Sequence, residues 1–166
     1  AVYSPYGTVP TSRFLGEPDF NRYDRNQTAV GYSFEQFFGD TGVFRQNVRY
    51  IKVDMISEGA GRRTLGSDGR TMTGTSSSNQ NKSNGLSIDT NAGYTIETGP
   101  FVHSLMAGFD FQRTEIHLDS ASGTVGPLDL FDPVYGQSVV IGARKPSRET
   151  GRYQHGVYLQ DQVFWD

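Results

Sequence analysis

The chain has 166 residues, a formal net charge of −3, 35% hydrophobic residues, 20 glycines and no cysteine. The length suits a single domain. The missing thiols exclude disulfides, thiolate metal sites and cysteine nucleophiles, and the mild negative charge speaks against a nucleic-acid partner or a polybasic hold on a membrane surface. Eleven Phe, nine Tyr and one Trp carry much of the apolar area, which favours β structure over Leu-rich helices. No apolar run approaches the ~20 residues of a helical membrane span.

Residues 1–27 are rich in proline and polar side chains without a period of 2 or 3.6, and predict a long loop. From Thr28 to Phe38, Val30, Tyr32, Phe34 and Phe38 alternate with Ala29, Gly31, Ser33 and Glu35, the pattern of a two-faced strand. The tight turn Gly39-Asp40-Thr41-Gly42 leads into a second strand over 43–56, with Phe44, Val48 and Tyr50 set against Arg45, Asn47 and Arg49. Residues 57–85, rich in Gly, Ser, Thr and Asn and free of aromatic residues, read as a long mobile loop. Alternation returns over Leu86–Thr98, turns at Gly99-Pro100 and continues in the opposite phase from Phe101 to Gln112, so both apolar rows share one face. A third long loop is expected over 115–151, and a last strand over Arg152–Asp166.

Connections thus alternate short and long, the asymmetry of a transmembrane β-barrel, and each strand supplies the ~9–11 residues needed to cross a bilayer. Phe37, Phe38, Phe44, Phe101, Phe164 and Trp165 fall beside the short turns and form an expected aromatic belt. The row containing Ser33, Glu35, Arg45, Asn47, Arg49, Asp89, Asn91, Asp110 and Gln112 is expected to face a filled lumen. Five strands do not close a barrel, whose open edge would leave backbone groups unsatisfied in lipid. The expected fold is therefore all-β: a segment of about five antiparallel transmembrane strands, with long extracellular loops, from a larger plugged barrel.

The runs FLGEPDFNRYDRNQTAVGYSFEQFF, FRQNVRY, ETGPFVHSLMAGFDFQR, PLDLFDPVYG and GVYLQDQ, in this order over nearly the whole chain, resemble the middle of the barrel of a TonB-dependent siderophore receptor of the ferrichrome-receptor type. The resemblance implies an outer-membrane barrel of a Gram-negative bacterium, of about 22 strands with a plugged lumen. Residues 1–166 would be part of its barrel domain, the plug and remaining strands lying outside this sequence. It implies as partners a ferric siderophore, a ferrichrome-like hydroxamate being favoured, the TonB system acting through the plug, and outer-membrane lipid. No cofactor is implied, since iron arrives already chelated.

A bulky, coordinatively saturated chelate calls for rings and hydrogen-bond donors rather than metal ligands. Tyr3 and Tyr6 in the first loop and Phe131 and Tyr135 in DLFDPVY are the candidate rings, and Arg62 and Arg63 the candidate attractors of an anionic chelate. His103, His117 and His155 lack metal-ligand spacing. The glycine-rich GAGRRTLG does not sit between a strand and a helix, and nothing like GxSxG occurs, so no enzyme is expected. Two other readings stay open: a TonB-dependent receptor for a different ligand, and a secreted β-sandwich carbohydrate-binding module.

Overall fold

The computed structural model describes residues 3, 4 and 6–165. β1 (Tyr3–Ser4) and β2 (Gly7–Thr8) pair antiparallel as a small ribbon, and a 3-10 turn over Pro18–Phe20 leads into the main sheet. That sheet contains β3 (Asn21–Phe38), β4 (Gly42–Leu65), β5 (Thr71–Thr98), β6 (Phe101–Asp129), β7 (Val139–Ile141) and β8 (Lys145–Trp165). Its order is β3-β4-β5-β6-β7, with β8 also paired to β6. The expected tight turns are present: Gly39 and Gly99 sit at φ +61° and +64°, a left-handed conformation that costs glycine nothing.

Five long strands match the expected number, but their lengths do not. β5 has 28 residues and β6 has 29, so the long loops expected over 57–85 and 115–151 are largely strand, and the one over 1–27 gives way to strand at Asn21. The tip between β4 and β5 is only residues 66–70. The cause is visible along β5, where Met72, Ser76 and Ser78 are buried and Thr73, Thr75 and Ser77 are exposed. The period is 2, but two of the three inward side chains are hydroxyls. Ser76 Oγ donates to the Val140 carbonyl (2.8 Å) and Ser78 Oγ to Glu58 Oε1 (2.8 Å), which removes the cost of burying them. Close backbone approach helps: a Cβ on Gly123, which opposes Ile141 across β6 and β7, would lie 1.8 Å from the Val140 oxygen.

Two compact units are built from these strands, the first from residues 1–26, 54–82 and 117–148, the second from 27–53, 83–116 and 149–166. Among the described residues, every buried side chain other than glycine belongs to the first unit: Met72, Ala121, Val125, Leu128 and Leu130, together with Glu17, Arg62, Ser76 and Ser78. In the second unit the apolar row stands open, with Val30 68%, Leu159 80% and Val157 84% exposed. Such a row is outside the experience of a water-soluble sheet and overturns the β-sandwich alternative, which requires Val30, Tyr32, Phe34 and Phe109 inside a core.

Within the second unit much of the polar row is paired, although Asn91 Oδ1 is buried and has no hydrogen-bond partner among the described residues. Ser33 Oγ donates to Asn47 Oδ1 (2.7 Å), Arg45 pairs with Glu35, and Asn91 Nδ2 donates to Asp89 Oδ1 (3.1 Å). Tyr158 on β8 lays its ring over Gly108 of β6, where a Cβ would sit 2.2 Å from the ring, and its hydroxyl donates to Asp89 Oδ2 on β5 (3.1 Å). The apolar row is interrupted at Gln46 and Thr90, and there too the groups close on each other: Tyr32 OH donates to Gln46 Oε1 (2.5 Å) and Gln46 Nε2 to Thr90 Oγ1 (3.1 Å). Of the expected aromatic belt, Phe101 and Trp165 come together at 6.3 Å between centroids. Phe37, Phe38, Phe164 and Trp165 are exposed.

Candidate functional site

The first unit brings together two ring-bearing segments of the chain. Residues 6–17 and 129–138 meet at two places. Tyr6 stands 5.9 Å from Phe131, and Phe14 stands 6.2 Å from Tyr135, each pair tilted. Tyr135 OH also donates to the Phe14 carbonyl (3.0 Å). Three of the four candidate rings are thereby joined in one face-to-face arrangement of two segments. The side chain of Tyr3, the fourth, lies outside the described residues.

Why these segments lie together is written in a buried ion pair. Arg62 of β4 is closed off from solvent and spends its guanidinium on Gly126 O (2.7 Å, from Nε), Gly16 O (2.8 Å, from Nη1) and the Glu17 carboxylate. The other oxygen of Glu17 accepts the Gly136 N–H (2.8 Å). A single charged pair thus fastens β4, β6 and both ring-bearing segments. Burial opposes ionisation of Glu17, yet the hydrogen bonds and charge of Arg62 and the Gly136 amide prevail, holding its carboxyl below the usual value. This corrects the expectation for Arg62: a side chain with its donors committed to carbonyls and an inward carboxylate presents no charge to an approaching anion. Arg63, next to it, is exposed.

The cation that does reach the rings was invisible in the sequence. Arg70, at the tip between β4 and β5, places its guanidinium carbon 5.8 Å from the Tyr6 ring centroid, within range of cation–π attraction. It is oriented by Asp129, with which it forms an ion pair, and its carbonyl accepts the Leu130 N–H (3.1 Å). Asp129 also shapes the ring-bearing segment, since its Oδ1 accepts the amides of Phe131 (2.8 Å) and Asp132 (3.1 Å). Against the pull of burial, Arg70 and these amides keep the Asp129 carboxyl below its ordinary value. The only local signal was the Asp of DLFD, a residue type that caps its own following turn; nothing near residue 70 pointed across 59 positions to it.

The tip that carries Arg70 is built by Asp68. Its Oδ1 accepts the amides of Arg70 (3.1 Å) and Thr71 (3.0 Å), and its Oδ2 the Thr71 hydroxyl (2.5 Å). Gly69 at φ +64° completes the bend. The hydroxyl of Thr71 is the main reason, followed by the two amides, that the Asp68 carboxyl is held down to about 2.

The arrangement offers ring faces beside a guanidinium fixed by Asp129, suited to holding a large, partly apolar ligand by stacking. The family described as TonB dependent receptor-like, beta-barrel, matches residues 1–166. The chain is 30% identical over 98% of its length to the ferrioxamine B receptor of Salmonella typhimurium, strain LT2. It is 30% identical over 92% to the ferrioxamine receptor of Yersinia enterocolitica, and 28% over 88% to the ferrichrome outer membrane transporter/phage receptor of Escherichia coli K12. It spans 23% of the length of each of these relatives.

Proposed function

We propose that this chain, which belongs to the TonB-dependent receptor β-barrel family, is the portion of an outer-membrane receptor whose water-facing end captures a ferric siderophore for TonB-driven uptake. The ligand class favoured is a hydroxamate chelate, as the names of the relatives suggest. The carrying observation is the Tyr6–Phe131 pair with Arg70 over the Tyr6 face. A siderophore already fills the coordination sphere of its iron, so the receptor needs to grip the organic shell rather than the metal. Rings supply area at low entropic cost, and the guanidinium of Arg70 offers N–H donors to the oxygen atoms of that shell. In the second unit, the polar row of Ser33, Glu35, Arg45, Asn47 and Asp89 would meet a plug domain and water, while the apolar row meets acyl chains. Energy from TonB would enter through that plug.

The test is uptake of radioactive ferric hydroxamates by an iron-limited strain lacking the parent gene and complemented with the full-length receptor. Replacing Tyr6 and Phe131 together by Ala is expected to raise the half-saturating concentration about tenfold, equivalent to ~1.4 kcal/mol, with little change in maximal rate. Uptake of every hydroxamate chelate by the uncomplemented deletion strain, or an unaltered half-saturation in the double variant, would contradict the assignment.

A further inference from the structure

Strands that cross a membrane place few ionisable groups against acyl chains, because a charge there loses its hydration. The apolar rows of the second unit are the alternate residues of Val30–Phe38, Phe44–Tyr50, Leu86–Ile96, Phe101–Phe111 and Val157–Trp165. Among these described residues, His103 on β6 and Asp161 on β8 are the only members drawn from His, Asp, Glu, Lys and Arg. They meet, with His103 Nδ1 2.9 Å from Asp161 Oδ2. The face is fixed by their neighbours of opposite parity, since Tyr158 covers Gly108 on the polar row.

The pair is open to a ligand, its side chains being 29% and 40% exposed. It also lies near the short-turn end: His103 is two residues from Phe101 and Asp161 four from Trp165, the rings whose centroids stand 6.3 Å apart. At that depth a charge on a lipid-facing strand costs far less than at the midplane. Beside the pair runs a groove of about 510 Å³, lined by Phe44, Ala92, Tyr94, Leu105, Ala107 and Leu159 among others. Leu105 follows His103 on its row and Leu159 precedes Asp161 on its own, so groove and pair adjoin. A hydrocarbon chain suits the first and a cation the second. The imidazole occupies Oδ2 of the carboxylate, which has acceptor sites to spare for another donor. Aromatic faces at the same depth attract the same kind of group.

We propose that this surface binds an aminophospholipid of the leaflet at the short-turn end, one whose headgroup ends in a primary ammonium. An acyl chain lies along Leu105, Ala107 and Leu159, the ammonium donates to Asp161, and His103 holds the carboxylate in place. A choline head has no N–H to donate. An anionic glycerol head brings a negative charge to Asp161 with no cation to face it. The inference rests on the lipid-facing assignment of this row and is independent of the siderophore.

The test is native mass spectrometry of the full-length, delipidated receptor, titrated separately in detergent with dioleoyl phosphatidylethanolamine, phosphatidylcholine and phosphatidylglycerol. The first ethanolamine lipid is expected to be retained about tenfold more tightly than either of the others. Asp161→Asn should bring the three lipids level. Ala107→Phe, made at an exposed position that tolerates bulk, should fill the groove and weaken all three with their order unchanged. Equal retention of the three by the parent would overturn the headgroup site and leave the row lipid-facing, whereas retention of none would contradict both. An order that survives Asp161→Asn, undiminished retention after Ala107→Phe, or a receptor dimer in place of the bound lipid would also overturn the assignment.

Discussion

Arg62 shows how one residue can change its meaning once its partners are known. In the sequence it is half of an Arg-Arg pair inside a glycine-rich run, the setting of a solvated cation. In the structure it is fully buried, and its partners Glu17 and Gly126 lie 45 and 64 positions away. No pattern within a local window exposes such a bond. The pair holds the segments that carry Phe14, Phe131 and Tyr135, so its removal should act on the site without touching a ligand. Arg62→Met is expected to leave Glu17 as an uncompensated buried charge, at a cost of about 3–5 kcal/mol. The checks are a lower urea midpoint and faster proteolytic cleavage in 14–17 and 134–138. The double change with Glu17→Met should recover part of the loss, which a purely steric role for Arg62 would not permit.

At the level of elements, alternation of apolar and polar side chains made the strands legible wherever their buried or lipid-facing row is hydrocarbon, as from Thr28 to Phe38 and from Leu86 to Gln112. It failed for the first half of β5, where the inward row passes from Met72 to Ser76 and Ser78. Hydropathy cannot mark a face whose inward groups are hydroxyls paired to carbonyl and carboxylate oxygens. The tip between β4 and β5 was hidden for the same reason, although its chemistry, an Asp followed by Gly and Thr, is that of a tight bend. That bend should depend on pH. The Asp68 carboxyl titrates near 2 in the folded chain against an ordinary 3.8, so its contribution is complete above 3.8 and is lost as the pH falls through about 2. The Thr71 amide, corrected for intrinsic exchange, is expected to lose protection over that interval. In Asp68→Asn protection should be weaker and insensitive to pH.

For the molecule as a whole, the decisive contrast is between a unit that buries its own core and a unit that buries almost nothing. A sheet with Val157, Leu159 and Val30 turned outward is stable only if its surroundings are apolar, and the β-barrel family to which the chain belongs supplies that condition as a bilayer. The second face holds ionic and amide groups that pair with one another, as Arg45 with Glu35 and Ser33 with Asn47, so the two rows are not interchangeable. Val157→Arg is expected to cost about 2–4 kcal/mol if its side chain meets the bilayer midplane, read from the folding equilibrium of the full-length receptor into vesicles. Asn47→Arg, on the hydrophilic row, should change that equilibrium little. Similar costs for both would contradict the assignment of faces.

The confinement of the packed side chains to the first unit has a practical corollary for how such a receptor fails. Urea attacks what water can reach, and a kernel as small as Met72, Ala121, Val125, Leu128 and Leu130 offers modest resistance to it, while strands solvated by lipid are shielded from the same agent. If the first unit captures the ligand as proposed, capture and membrane anchorage are lost at different denaturant strengths, and a preparation that still migrates as a folded barrel can already be blind to its cargo.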